Sequence, residues 1–124
     1  MEISFYKHDT YPDKILVRDF FGKVDVETII ESWNYLLDNE LLTQSHVGVI
    51  NNLLGCELQM NFDSFQTLLN FLKSKRIFRK LRLAVICHNP ENIVFPTIGE
   101  FEEKELKIKP FTTEDSAINW ILYS

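Results

Sequence analysis

Two polar dipeptides, Asn51-Asn52 and His88-Asn89, stand where this chain could meet a ligand. Each follows a short apolar run, Val47-Gly48-Val49-Ile50 in one case and Leu81 to Cys87 in the other. Runs of this kind read as buried parallel strands, and parallel sheets bind ligands outside the carboxyl ends of their strands. Asn51, Asn52, His88 and Asn89 would then offer amide and imidazole groups to one small polar ligand. The commoner use of such asparagines is to satisfy turn backbone. Neither dipeptide supplies a nucleophile, a base and a group to orient it, so binding fits better than turnover.

Other chemistry-bearing residues point the same way. His8, His46 and His88 are scattered, and the adjacent Cys87 and His88 would face opposite sides of a strand, which makes a poor metal site. Cys56 and Cys87 lie in apolar stretches and read as small buried hydrophobes. No Gly-rich phosphate loop, His-Glu-x-x-His, Cys-x-x-Cys or Gly-x-Ser-x-Gly occurs, so no cofactor is expected and the balance tilts away from an enzyme.

Two surface segments are candidates for docking. Lys73, Lys75, Arg76, Arg79, Lys80 and Arg82 form a basic block, with Arg76, Arg79 and Lys80 its candidate interaction surface. A helix carboxyl end already explains the first of these cations. The second segment, Ile93 to Ile98 around Phe95, is unusually apolar for so irregular a stretch. It reads as a lid on the core, a partner patch, or the mouth of an apolar pocket near Asn52, His88 and Phe95.

The elements that must position these residues follow from periodicity. Ile3 and Phe5 alternate with polar residues, and Ile15 to Phe21 is a second strand ending at Gly22, which together suggest a hairpin. Val26, Ile29, Ile30, Trp33, Leu36 and Leu37 then recur at helical spacing behind Asp25 as N-cap. After the strand at 47–50, a loop through Gly55-Cys56 leads to a helix capped by Asp63 with Gln66, and striped by Phe62, Phe65, Leu68, Leu69 and Leu72. Leu81 to His88 is the clearest strand. Residues 91–105 are read as a short helix broken at Pro96 or an irregular cover. Leu106 to Lys109 forms an edge strand, and a last helix is capped by Thr112 with Asp115. The result is an α/β fold, β-β-α-β-α-β-(α)-β-α, with a mixed sheet of about five strands covered by helices.

A chain of 124 residues suits one domain, 1–124, and no Gly/Ser/Pro linker divides it. The net charge of −5 argues against nucleic-acid binding, which needs a basic surface. No apolar run nears the roughly 20 residues of a membrane span. The first residues lack the basic start and apolar run of a signal peptide, and two cysteines are too few for a secreted scaffold, so a cytoplasmic location is expected.

The element order and two passages resemble the SpoIIAA-like branch of the STAS family, the sulfate transporter and anti-sigma factor antagonist domains. The passages are Lys80-Leu81-Arg82-Leu83-Ala84-Val85-Ile86 and Lys109-Pro110-Phe111-Thr112-Thr113-Glu114-Asp115-Ser116-Ala117-Ile118-Asn119-Trp120-Ile121-Leu122. The resemblance implies a non-enzymatic interaction or regulatory module with a protein partner. It also implies a phosphorylatable serine in an Asp-Ser-Ser-Gly-like stretch between the third strand and the next helix. Val49 to Cys56 lacks that serine; the first later candidate phosphosite is Ser64, where a phosphate would gain from the helix N-terminus but face the adjacent Asp63 carboxylate. The alternative function is a small-ligand or lipid-binding protein, by analogy of fold with the longer Sec14-like lipid carriers. A homodimer through Phe-rich surface fits either reading.

Overall fold

The computed structural model describes residues 2–124. The sheet is built on β2 (Ile15–Asp25), whose run Ile15-Leu16-Val17 is buried on both faces, as strands inside a covered sheet must be. β1 (Ile3–Lys7) lies antiparallel against it, with Ile3 opposite Phe20 and Lys7 opposite Leu16. β3 (Gly48–Gln59), β4 (Arg82–Ile86) and β5 (Lys107–Phe111) then follow in parallel, giving the strand order β1-β2-β3-β4-β5. Among the described residues no helix is long and apolar enough to cross a membrane.

Sequential parallel strands joined by crossovers of one hand place their connecting helices on one face. Here those helices are α1 (Val26–Asp38), α2 (Phe62–Ser74), α3 (Arg76–Lys80) and α4 (Pro90–Glu102). Ile29, Trp33, Leu36, Phe65, Leu69, Leu72 and Phe78 from them meet Leu16, Phe20, Val49, Leu53, Leu83 and Ile108 of the sheet in the larger core. The opposite face is covered by α5 (Glu114–Tyr123), whose Ala117 and Ile121 pack on Ile15, Val17, Ile50, Ala84 and Ile86.

The local rules explain the helix ends. Asp25 caps α1 by accepting from the Thr28 N–H, as expected from sequence. At α2 the cap is Asn61, not Asp63. Its Oδ1 accepts from the Ser64 N–H at 2.8 Å while Ser64 Oγ accepts from the Asn61 N–H at 2.9 Å, a reciprocal capping box. Thr113, one residue beyond the expected Thr112, caps α5 with Ser116 rather than Asp115.

Three stretches depart from the sequence expectation. β2 continues through Gly22 to Asp25, since glycine accepts the positive φ of 69° found there. β3 continues to Gln59 instead of ending before Asn51, because it pairs with that extension of β2 from Phe21↔Gly55 to Asp25↔Gln59. Residues 90–102 form one helix through Pro96, whose missing N–H would have bonded to the Asn92 carbonyl. Asn92 anchors this helix to β3. Its Oδ1 accepts from the Leu58 N–H and its Nδ2 donates to the Cys56 carbonyl, standing in for β4, which stops opposite Asn52.

Candidate functional site

Side chains alternate along a strand, so β2 turns Leu16, Arg18 and Phe20 towards the larger core. β3 turns Val49, Asn51 and Leu53 to the same side, and Arg18 and Asn51 are register partners. An arginine therefore sits in the middle of an apolar layer, only 2 % exposed. Its Nε donates to Asn51 Oδ1 at 2.9 Å and its Nη1 to Ser32 Oγ at 3.1 Å. Asn51 is oriented in turn by Nδ2, which donates to the Ala84 carbonyl at 3.0 Å and so leaves Oδ1 facing the arginine. The guanidinium carbon stacks 3.5 Å from the centre of the Trp33 ring and 4.9 Å from that of Phe20.

Arg18 forms no ion pair among the described residues; those found join His8 to Glu114, Lys73 to Glu103 and Lys109 to Glu100. Burial alone holds its guanidinium well below the ordinary arginine range, with no neighbouring carboxylate to oppose it. The aromatic faces of Trp33 and Phe20 supply partial compensation.

Above this pair lies a cavity of about 80 Å³ between the sheet and α1, α2 and α4. Trp33, Leu53, Phe65, Phe95 and Ile108 are among its walls, and the Phe65 and Phe95 rings meet 5.2 Å apart. Its lining is apolar apart from Arg18 and Asn51. Among the described residues no carboxylate, imidazole, hydroxyl or thiol lines it, so they can hold and orient a molecule but offer no nucleophile or general base.

The structure separates the four residues first singled out for ligand contact. Asn51 lies mid-strand in the cavity wall. Asn52 points to the other face, where Nδ2 donates to Asp19 Oδ1 and Oδ1 accepts from the Leu54 N–H. That second bond steadies a β-bulge: the pairing steps from Asp19↔Asn52 to Phe21↔Gly55, leaving two residues of β3 opposite Phe20. His88 is exposed and donates from Nε2 to the Thr112 carbonyl at 2.9 Å. Asn89 caps α4, its Oδ1 accepting from the Asn92 N–H at 2.7 Å. Of the expected mouth at Asn52, His88 and Phe95, only Phe95 reaches the cavity, where Asn51 joins it.

The basic block is likewise divided. Lys73 pairs with Glu103 of α4 at 2.9 Å, Arg79 donates from Nη2 to the Lys73 carbonyl, and Arg82 donates from Nη1 to the Trp120 carbonyl. Arg76 and Lys80 remain exposed. Ser64 is held by both bonds of the capping box and by a third, from its Oγ to the Asn61 carbonyl. His8 is buried and joins β1 to α5: Nδ1 accepts from the Thr10 and Tyr11 N–H groups while Nε2 donates to Glu114 Oε1. Burial pushes the Cys56 thiol up to about 11 and raises that of Cys87.

Arg18 was not among the residues marked from sequence. A signal was present: an arginine at the two-residue period between Leu16 and Phe20, on a strand face that is otherwise apolar.

No family model matches the chain, and no curated protein matches it. Solved structures do. An uncharacterized protein of the DUF3478 family with a SpoIIAA-like fold, from Shewanella loihica PV-4, is similar over 96% of this chain and 93% of its own, with a TM-score of 0.67 and 15% identity. The anti-sigma factor antagonist SpoIIAA in its unphosphorylated form is similar over 98% of this chain and 99% of its own, with a TM-score of 0.58 and 14% identity. Five parallel-dominated strands in sequential order, helices on both faces and these two likenesses identify the fold of this chain as SpoIIAA-like.

Proposed function

We propose that this chain is a non-enzymatic binding module whose ligand occupies the cavity under α1, α2 and α4. The observation that carries the reading is the cavity itself, apolar throughout except where Arg18 and Asn51 form its floor. A few convergent polar groups in an apolar concavity is the usual composition of a small-ligand site. Asn51 is one of the residues first considered for ligand contact, and Phe95 supplies part of the roof. Phe95→Asp therefore tests the cavity rather than an outer surface. The reading is tested by native mass spectrometry of protein purified gently from its own host. Extra mass that disappears on denaturation is expected, and a clean protein mass under conditions that preserve weak complexes would count against it.

A second reading, a regulatory module for a protein partner, draws on the likeness to an anti-sigma factor antagonist. Its candidate surface is the exposed pair Arg76 and Lys80, with Arg79 occupied at the end of α2. Reversal of both charges, Arg76→Glu with Lys80→Glu, is expected to weaken association with an acidic partner without unfolding the domain. Unchanged association would remove that surface from consideration.

A further inference from the structure

We propose, resting on the cavity reading above, that the ligand is a small organic anion: an apolar body ending in a carboxylate that pairs with Arg18. A guanidinium carries five N–H groups and no acceptor. Two are used, one from Nε to Asn51 and one from Nη1 to Ser32. Three remain on Nη1 and Nη2, with no carboxylate paired to them among the described residues. Asn51 cannot take more, because its oxygen already serves Nε and its nitrogen the Ala84 carbonyl.

Charge leads to the same place. A buried cation without an anion is among the costliest arrangements in a protein interior. Stacking on Trp33 offsets part of that cost and leaves the charge unneutralised. An anion entering the cavity would complete the site, and adjacent N–H groups of a guanidinium match the two oxygens of a carboxylate. The walls fix the rest of the molecule. Leu53, Phe65, Phe95 and Ile108 offer no partner for a hydrated ion or for a phosphate bearing two charges, but they suit hydrocarbon. A volume of about 80 Å³, roughly half that of a cavity that takes up benzene, limits that body to a short chain of a few carbons.

The test compares acids with neutral molecules of the same shape: propionate with 1-propanol, and butyrate with 1-butanol, by calorimetric titration at neutral pH. On the wild-type protein each acid is expected to bind at least about tenfold more tightly than its alcohol, the contribution of a charge-assisted pair. In Arg18→Gln that preference is expected to vanish while the alcohols still bind. The wild-type comparison stands alone should the variant fail to fold. Equal binding of acid and alcohol by the wild type would overturn the anion and leave the cavity reading intact. Binding of neither series by folded protein would overturn both. Displacement of the acids by chloride or inorganic phosphate at equal concentration, with no dependence on the apolar body, would also overturn the proposal.

Discussion

The two faces of the sheet solve the burial problem differently. Under α5, the small residues Gly48, Ala84 and Ala117 let the helix approach the strands closely, and Ile15, Val17, Ile50 and Ile121 fill the layer. A methyl group added at Gly48 would come within 2.5 Å of Ile121 Cγ2 and 3.0 Å of the Arg82 carbonyl. The other face has four helices and far more aromatic mass, yet it encloses a cavity with an arginine in its floor. Packing requirements alone account for the first face. They do not account for the second, where a leucine or methionine at position 18 would fill space at lower desolvation cost. On the reading proposed above, the unfilled and charged face is the one that takes the ligand.

The largest effect should come from the arginine's support. Asn51→Leu removes the acceptor for Arg18 Nε and the donor to the Ala84 carbonyl, leaving buried charge and backbone unsatisfied. A loss of about 3 kcal/mol is expected in urea denaturation. Adding Arg18→Met should recover most of it, since removing both members of a buried polar pair is often neutral. The double variant should also lose any preference for acids. If Asn51→Leu alone proved harmless, the arginine would have to reach another acceptor, and the contrast between the faces would weaken.

Adjacent residues of β4 offer a sharper comparison, because one side chain points to each face. Ala84 is fully buried under α5, so Ala84→Val should overpack that layer and cost about 1–3 kcal/mol. Val85 lines the cavity, so Val85→Ile places a methylene into open space and should gain about 0.5–1 kcal/mol. The same change should weaken ligand binding by occupying its volume. Opposite signs from neighbouring one-step enlargements would establish the difference in packing directly. Equal losses would mean that the cavity wall is as tight as the α5 face.

Much of the architecture was legible from local pattern. The helical stripe from Val26 to Leu37, the cap at Asp25 and the apolar run at 81–87 are properties of short windows, and each forms as those windows indicate. What was not legible depends on distant partners. Leu53 to Gln59 contains Gly55, Glu57 and Gln59 and reads as loop until β2 is known to extend past Gly22 and pair with it. Asn51 and Asn52 consequently looked like neighbours at a strand end, whereas strand alternation sends them to opposite faces. Asn92 was invisible as a structural residue because its role, supplying β3 with the bonds a longer β4 would have made, exists only in three dimensions. Arg18 did carry a local signature, a cation at a core-facing position.

The smallest perturbation concerns the two thiols, which leave the fold untouched and report on the tightness of the larger core. Cys56 and Cys87 both belong to that core and carry no disulfide. Burial disfavours the thiolate, and with Cys56 pushed up to about 11, on the order of one molecule in a thousand is ionised there at pH 8. An ordinary exposed cysteine is about a quarter ionised at that pH. Alkylation by iodoacetamide at pH 8 should therefore be slow in the native protein and fast for both residues in urea. Because the shift is upward, the native rate at Cys56 should rise about tenfold per pH unit as pH approaches 11, provided the domain stays folded. Fast native labelling at pH 8 would mean that the larger core opens on the labelling timescale. The cavity would then be one momentary arrangement of a loose layer, and the comparison between the faces would become one of mobility rather than of built space.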